Sequence, residues 1–261
     1  MKYIKSYKLF ESIDSDIKSR WSEDYDIPLG IFDLILSGQI DLADSLIRGQ
    51  KIRSKIVDWY SGCIMNNLVT IGIYRLSRYD NKYDTVIRNL KRMFSIKDIT
   101  ITKNTNDFLL NGHLDEFLYL FNNLSNVMFL RIVGEFDELP SYIKNLKNIK
   151  KVDLERCECE FDEFPLILLE MENLTSINIV GYRGIESLPD DIDKLNKLQF
   201  LTIDYCSLSE LPDSFSNLKD LQMLSIKGNR FKEFPKQVFD LPLLTDLYMI
   251  KNPLVEDRKS T

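Results

Sequence analysis

The fold is decided by two consecutive stretches in the second half of the chain, which share one pattern. Residues 195–217 read LNKLQFLTIDYCSLSELPDSFSN, and residues 218–240 read LKDLQMLSIKGNRFKEFPKQVFD. In both stretches apolar residues recur at the same offsets, and a Leu-Pro or Phe-Pro pair follows at the same place. Offsets that agree throughout a 23-residue period indicate an internal repeat, in which each copy forms one structural unit.

The pattern extends in both directions with small changes of length. The further copies are 124–145, 146–170, 171–194, the half copy 241–254 and a degenerate copy at 93–104. Within each copy, an alternation such as Leu201-x-Ile203 predicts a short strand with its apolar side chains on one face. Because no copy can bury that face alone, the copies are expected to stack into a parallel sheet of six to seven strands.

These repeats resemble the leucine-rich repeat family, in its 23-residue subtype with the pattern LxxLxxLxL followed by LPxxI. The resemblance implies an α/β solenoid whose curved parallel sheet presents a concave face. It also implies a non-enzymatic protein that binds a partner on that face. The ladder residue, which lies at the turn after each strand, is asparagine only at Asn229 and Asn252, while Cys157, Tyr182 and Cys206 replace it elsewhere.

The replaced ladder positions lead to two expectations. Cys157 and Cys206 are two repeats apart, and neighbouring strands are about 4.8 Å apart, so both are expected to be free thiols. Tyr182 is bulkier than an asparagine. We therefore expect its ring to swing aside and the turn around it to be distorted.

Residues 1–89 lack the repeat and are predicted to form helices. Apolar residues on a helical period predict helices at 3–17, 29–36, 40–47, 55–65, 67–78 and 86–94. Pro28 and the pair Ser37-Gly38 bound the second of these, and Asp84 is the predicted N-cap of the last. The predicted domains are a helical domain at 1–89, a solenoid at 90–254 and a tail at 255–261.

The helical domain has an expected structural role. The first strand of a solenoid exposes apolar side chains and unpaired backbone groups, so covering that strand is the function we assign to this α-helical capping domain. An independent binding or oligomerisation module is the alternative.

The composition argues against several classes of function. With 34 Lys and Arg against 40 Asp and Glu, the formal charge is -6. The chain therefore lacks the basic surplus that attracts nucleic acid or an anionic membrane. Neither a signal peptide nor an apolar stretch of spanning length is visible, so a cytoplasmic protein is expected.

Catalytic and metal chemistry are not predicted either. His113 is the single histidine, and a histidine-based zinc site or a Ser/His/Asp triad would have to use it. The stretch 155–163, ERCECEFDE, and the motif Asp190-Asp191-x-Asp193 hold metal-binding residue types. They are interpreted as a solvated acidic loop and a polar helix start. We expect no enzymatic activity, cofactor or metal.

The predicted binding site is the sheet face, which we define as the outward positions of the strands. Aromatic and methionine side chains among charges of both signs are typical of protein interfaces. The residues predicted to bind a protein or peptide partner are Phe129, Arg131, Lys151, Asp153, Asn178, Phe200, Thr202, Met223, Lys227 and Tyr248.

Two other functions stay open at this point. The last half copy is followed by only a few residues, so its strand could offer an edge for weak self-association or for a scaffolding role. A small effector with activity in the helical region is the other alternative, and Cys63 would then be its nucleophile.

Overall fold

A computed structural model describes most of the chain, which divides into two compact units at residues 1–127 and 128–261. The described residues are 17–60, 83–93, 97–102, 118, 121–122, 126–134, 136, 138–154 and 161–255. The predicted helices at 3–17 and 67–78, the end of the helix predicted at 55–65 and the ladder residue Cys157 lie wholly or mostly outside them. The domain boundaries proposed from the sequence stay predictions.

In its described part the first unit contains five helices, further helical residues at 118 and 121–122, and one strand. The helices are α1 at 17–25, α2 at Leu29–Leu36, α3 at Ile40–Arg48, α4 at Arg53–Trp59 and α5 at Tyr83–Met93. The strand is β1 at Asp98–Thr102. The predicted helices at 29–36 and 40–47 are confirmed, and α2 ends as predicted at Ser37 and Gly38, where Gly38 is left-handed with φ 78°.

Aromatic side chains form the centre of the helical core. Trp21, Phe32 and Trp59 are buried, and their ring centroids lie 5.0 to 5.9 Å apart in tilted or edge-on arrangements. Aromatic pairs prefer such arrangements because the positive ring edge faces the negative ring face. The helices α1, α2 and α4, which provide these three residues, therefore share one core.

The predicted N-cap role of Asp84 is wrong. α5 includes Tyr83, so Asp84 lies inside its first turn. Its carboxylate accepts a hydrogen bond from the Arg48 guanidinium of α3. A carboxylate in the first turn still interacts favourably with the helix dipole, which is why the sequence signal resembles that of a cap.

Six parallel strands form the sheet of the second unit, in chain order. They are β2 at Phe129–Val133, β3 at Lys151–Asp153, β4 at Ser176–Val180, β5 at Phe200–Asp204, β6 at Met223–Ser225 and β7 at Asp246–Tyr248. Each strand pairs with the next in the register set by the repeat, so that Leu201 faces Leu224 and Leu224 faces Leu247. With β1, the described residues contain seven strands, as the repeats predict.

A short 3₁₀ helix returns the chain after most strands. These helices are Ser141–Asn145, Leu166–Glu170, Ile192–Lys194, Asp213–Asn217 and Lys236–Asp240. A proline precedes four of them directly: Pro140, Pro165, Pro212 and Pro235. The proline of the Leu-Pro signature suits that place because its φ is fixed and it has no N–H to satisfy.

The apolar positions of the repeat point to the interior, as predicted. Leu201, Ile203, Leu224 and Ile226 are all 0% exposed. The alternation continues on β1, where Ile99 and Ile101 are buried and the neighbouring positions are not. The strand phase derived from the sequence is therefore confirmed.

The last repeat differs from the others in burial. Leu247, which matches Leu224 in register, is only half-buried, and Leu254 is 42% exposed. Nothing in the described part of the chain stacks on the far side of β7. The inward positions of this repeat are therefore covered from one side.

The ladder asparagines join successive repeats through the backbone. The Asn229 amide donates to the Ile203 carbonyl oxygen at 2.7 Å, and its oxygen accepts from the Leu208 N–H at 3.0 Å. Asn252 repeats this arrangement one copy later, with the Ile226 carbonyl and the Phe231 N–H. Each asparagine thus satisfies a donor and an acceptor that the interior would otherwise leave without partners.

The expectation for Tyr182 is wrong, because its ring occupies the inward ladder position. Tyr182 is 4% exposed and stacks on Phe161 of the preceding repeat, with ring centroids 5.1 Å apart. Its hydroxyl donates to the Leu154 carbonyl oxygen at 2.5 Å. Leu154 is the counterpart of Ile203, so the tyrosine makes the same donor contact as the asparagine ladder does.

Replacing Tyr182 with phenylalanine removes this donor and keeps the ring. We expect the free energy of unfolding to fall by about 1–3 kcal/mol, because a buried acceptor loses a partner. Urea unfolding followed by circular dichroism measures the change. Tyr248→Phe is the matched control, since Tyr248 is 45% exposed and water can replace its hydroxyl contacts. Equal losses in the two variants would contradict the ladder role of Tyr182.

Candidate functional site

The sheet face of the second unit consists of three rows of side chains that cross the strands. One row contains Phe129, Lys151, Ser176, Phe200, Met223 and Asp246, which are partners in register. The next contains Arg131, Asp153, Asn178, Thr202, Ser225 and Tyr248. The third lies at the carboxyl ends of the strands and includes Val180 and Asp204 in register, followed by Lys227 and Ile250.

The structure brings the ten sequence-predicted residues into these rows. Lys151 and Tyr248 are exposed, and seven others are half-buried. Asp153 differs, because it is only 9% exposed. Whether these residues bind a partner stays a prediction.

Asp153 is buried by its neighbours on the sheet face. Its Oδ2 accepts from Nε of Arg131 at 3.3 Å, and its Oδ1 accepts from the Asn178 amide at 3.1 Å. The Arg131 guanidinium also lies 5.1 Å from the centre of the Phe129 ring. Three adjacent strands therefore share one polar network, in which the arginine charge is balanced by a carboxylate and its position is defined before any partner arrives.

Asp204 forms a second network on β5 and β6. Its Oδ1 accepts from the Ser225 hydroxyl at 2.7 Å and from the Lys227 N–H at 2.8 Å, and its Oδ2 lies 3.8 Å from Lys227 Nζ. The Lys227 ammonium in turn lies 4.8 Å from the centre of the Tyr248 ring. An ammonium over an aromatic ring is attracted by the negative ring face. Asp204 thus positions a lysine that the sequence singled out, although Asp204 itself was not among the predicted site residues.

Two residues beside the sheet face were missed by the sequence analysis. Tyr205 and Lys251 both have positive φ, at 54° and 62°, and each directly precedes a ladder residue. The Lys251 ammonium donates to the Tyr205 hydroxyl at 3.1 Å. A signal was available, because glycine occupies the same repeat position at Gly181 and Gly228 and glycine favours positive φ.

A cleft of about 490 Å³ lies off the sheet face, between the loops that precede the fourth and fifth 3₁₀ helices, and the first residues of the fifth helix also line it. Leu211, Phe231 and Phe234 line it, with charged side chains at its rim. Nearby, Phe239 is 78% exposed and packs its ring 5.3 Å from that of Phe234. The cleft contains none of the predicted site residues.

The candidate metal and thiol positions have other roles where they are described. Among the described residues no group of three or more metal-ligating side chains comes together. Asp191 pairs with Lys194, which lowers the pKa of its carboxyl group, and Asp193 accepts from the Asn217 amide at 3.0 Å. Cys206 is a free, buried cysteine, and burial raises the pKa of its thiol. Cys63, His113 and most of the stretch 155–163 lie outside the described residues.

No described helix combines the length and the apolar character that crossing a bilayer requires.

Comparisons with known proteins give matches among solved structures alone. No protein-family model matches the chain, and no curated protein matches it. The leucine-rich repeat domain of the type III effector XopL is 13% identical with a TM-score of 0.45, over 91% of this chain and 71% of that one. Internalin C2 from Listeria monocytogenes is 17% identical with a TM-score of 0.42, over 64% of this chain and 76% of the internalin.

A third match is much longer than this protein. The plant peptide hormone receptor RGFR1, solved in complex with RGF2, is 25% identical with a TM-score of 0.38. The match covers 52% of this chain and 22% of the receptor. The chain therefore corresponds to about a fifth of that receptor's length.

The leucine-rich repeat fold is evident from the chain's own repeats. A 23-residue period, parallel strands paired in repeat register, buried Leu and Ile positions and a ladder of side chains bonded to the turn backbone all occur together. The chain has the fold of a leucine-rich repeat solenoid of the α/β class, with a helical N-terminal region.

Proposed function

We propose that this protein is a non-enzymatic recognition module that binds a protein or peptide partner on the sheet face of β2 to β7. The observation that supports it is the three rows of side chains, in which half-exposed Phe129, Phe200 and Met223 alternate with polar groups. Six strands at about 4.8 Å spacing make a face about 24 Å long. That length suits a partner surface of about 800 Å².

The pairing of charges on the sheet face also favours a protein partner. Arg131 and Lys227 each have a carboxylate neighbour, and each lies against an aromatic ring. Side chains held in this way lose little further freedom on binding, which reduces the ordering cost of an interface. A face of this kind supplies aromatic anchors and defined polar groups together. The proposed weak self-association through the last strand stays a prediction.

A glutamate at Tyr248 tests the proposal. Tyr248 is exposed and is the final residue of the last strand of the face, so Tyr248→Glu should leave the fold intact. Loss of an interfacial tyrosine typically costs about 2 kcal/mol or more, so we expect the affinity for the partner to fall by about 30-fold or more. The partner is captured from native lysate on the immobilised chain and identified by mass spectrometry. Its affinity is then measured by calorimetry with purified proteins.

Phe239→Glu is the matched control. Phe239 is also an exposed aromatic residue, but it lies on a 3₁₀ helix away from the sheet face. We expect Phe239→Glu to bind the captured partner with wild-type affinity. A partner that binds Tyr248→Glu normally and loses affinity for Phe239→Glu would place recognition on the other side of the solenoid and would end this proposal.

A further inference from the structure

The turn after each of the last four strands contains a left-handed residue directly before the ladder position. These residues are Gly181 with φ 95°, Tyr205 with φ 54°, Gly228 with φ 63° and Lys251 with φ 62°. A side chain at such a position is unfavourable because its Cβ crowds the following carbonyl oxygen. Glycine avoids that cost at two of the four positions. Tyr205 and Lys251 are therefore the two exceptions that the structure retains.

The two exceptional side chains contact each other across an intervening glycine. The Lys251 ammonium lies 5.2 Å from the centre of the Tyr205 ring and donates to its hydroxyl. The ring covers Gly228, where an added Cβ would lie 2.5 Å from Tyr205 Cδ1. Gly228 has no side chain and thus leaves room for the Tyr205 ring. Residues from three successive repeats, Tyr205, Gly228 and Lys251, therefore pack together.

A second lysine-on-tyrosine pair lies beside the first. In this pair the Lys227 ammonium lies 4.8 Å from the centre of the Tyr248 ring. Lys227 directly precedes Gly228 in the sequence, and Tyr248 lies two residues before Ile250. The Lys227 ammonium forms an ion pair with the Asp204 carboxylate. For Lys251, the described part of the chain provides no carboxylate at ion-pair distance. Within the described residues, the Lys251 ammonium at this end of the sheet face is therefore not ion-paired, although the chain as a whole is acidic.

We propose that Tyr205, Lys227, Tyr248 and Lys251 form a cationic platform that binds an acidic, carboxylate-bearing segment of the protein partner. This inference rests on the proposed function and names the chemistry of the partner. An ammonium has three donors, and Lys251 uses one on the Tyr205 hydroxyl, so two remain for a carboxylate. Hydrogen bonds between charged groups are stronger than those between neutral groups.

The surroundings favour a peptide carboxylate over a phosphate. Phosphate groups on proteins are typically recognised by clusters of arginine, and the platform contains two lysines and no arginine. Tyr248 is 45% exposed and Ile250 is 65% exposed, so apolar side chains of the same segment can pack beside the bound carboxylate. Asp204 is ion-paired with Lys227, and its Oδ1 accepts from the Ser225 hydroxyl and the Lys227 N–H. No described contact joins Asp204 to Lys251, so the Lys251 ammonium is the group that we expect to bind a partner carboxylate.

Synthetic peptides test the platform directly. The probes are a fluorescent peptide of alternating glutamate and leucine, its glutamine counterpart and a counterpart with phosphoserine in place of glutamate. We expect the full chain to bind the glutamate peptide about tenfold more tightly than the glutamine peptide at low salt. Lys251→Met, which retains a long side chain at the left-handed position, should remove that preference. Lys197→Met is the control, since Lys197 is an exposed lysine that pairs with Asn173 elsewhere.

Each possible outcome of these measurements either supports or overturns the inference. Equal binding of the glutamate and glutamine peptides, an unchanged preference in Lys251→Met, or tighter binding of the phosphoserine peptide would overturn the inference. If Tyr248→Glu loses the captured partner while Lys251→Met keeps both partner and peptide affinity, the platform is wrong and the sheet-face proposal stands. If neither variant affects the captured partner, the sheet-face proposal itself fails.

Discussion

Replacing Leu224 with alanine is expected to lower the free energy of unfolding by about 2–5 kcal/mol, the range for leucine truncated in a packed core. Leu224 is 0% exposed in β6, where Leu201 and Leu247 flank it on the neighbouring strands. Because three repeats contact this side chain, the vacancy cannot close without moving all of them. Urea unfolding monitored by circular dichroism gives the loss as a shift of the midpoint.

The last repeat provides the matched control for this variant. Leu247 is the same residue type at the same repeat position, but it is half-buried because no described strand stacks beyond β7. Leu247→Ala removes fewer contacts and leaves less of a cavity, so we expect a loss of about 1 kcal/mol. Equal losses at both positions would mean that the final repeat is packed as densely as an internal one.

The sequence predicts the strands of the solenoid well for a physical reason. A strand that buries one face can shift only by two residues without exposing its apolar side chains, and the 23-residue period then aligns all copies. Leu201 and Leu224 therefore face each other as the repeat requires. Helices of the first unit follow from a pattern of the same kind. The prediction that Asp84 is an N-cap was wrong, because side-chain identity alone locates the first residue of a helix poorly.

The inward position of the Tyr182 side chain in the ladder could not be predicted from its size. Its inward position depends on Phe161 one repeat earlier and on a turn that is free of side chains at Gly184. The repeat pattern contains Phe161 as an apolar position, but it does not reveal that the Phe161 ring stacks on Tyr182 or that the Gly184 turn lies against Phe161. The same limit applies to Tyr205 and Lys251, whose contact spans 46 residues of sequence.

The sheet face was predictable as a surface, but its internal contacts were not. Alternation places Arg131 and Asp153 on the same face, and the register makes them neighbours. Which charges pair depends on rotamers and on residues from other repeats, such as Asn178 for Asp153 and Ser225 for Asp204. Because of these contacts, charged side chains that look free in the sequence already have hydrogen-bond or ion-pair partners within the fold.

The second large effect is expected from Gly184→Ala, which should lower the free energy of unfolding by about 3 kcal/mol. A Cβ at this position would lie 2.2 Å from the Phe161 carbonyl oxygen and 2.6 Å from Asp162 Cα. Both atoms belong to the backbone, so no side-chain rotation relieves the overlap. The two turns must move apart, and the stacking of Tyr182 on Phe161 is then lost. Near-ultraviolet circular dichroism reports that stacking, and urea unfolding gives the free-energy change.

Gly181→Ala separates steric overlap from backbone strain within the same turn. Gly181 has φ 95°, which alanine adopts at a cost of about 1–2 kcal/mol, but a Cβ there meets nothing within 4 Å. Gly184 lies outside the left-handed region and fails through overlap alone. We therefore expect Gly181→Ala to lose less stability and to keep its near-ultraviolet signal. If Gly184→Ala proves the milder variant, then the Phe161 turn does not lie against Gly184, and the account of how Tyr182 enters the ladder is wrong.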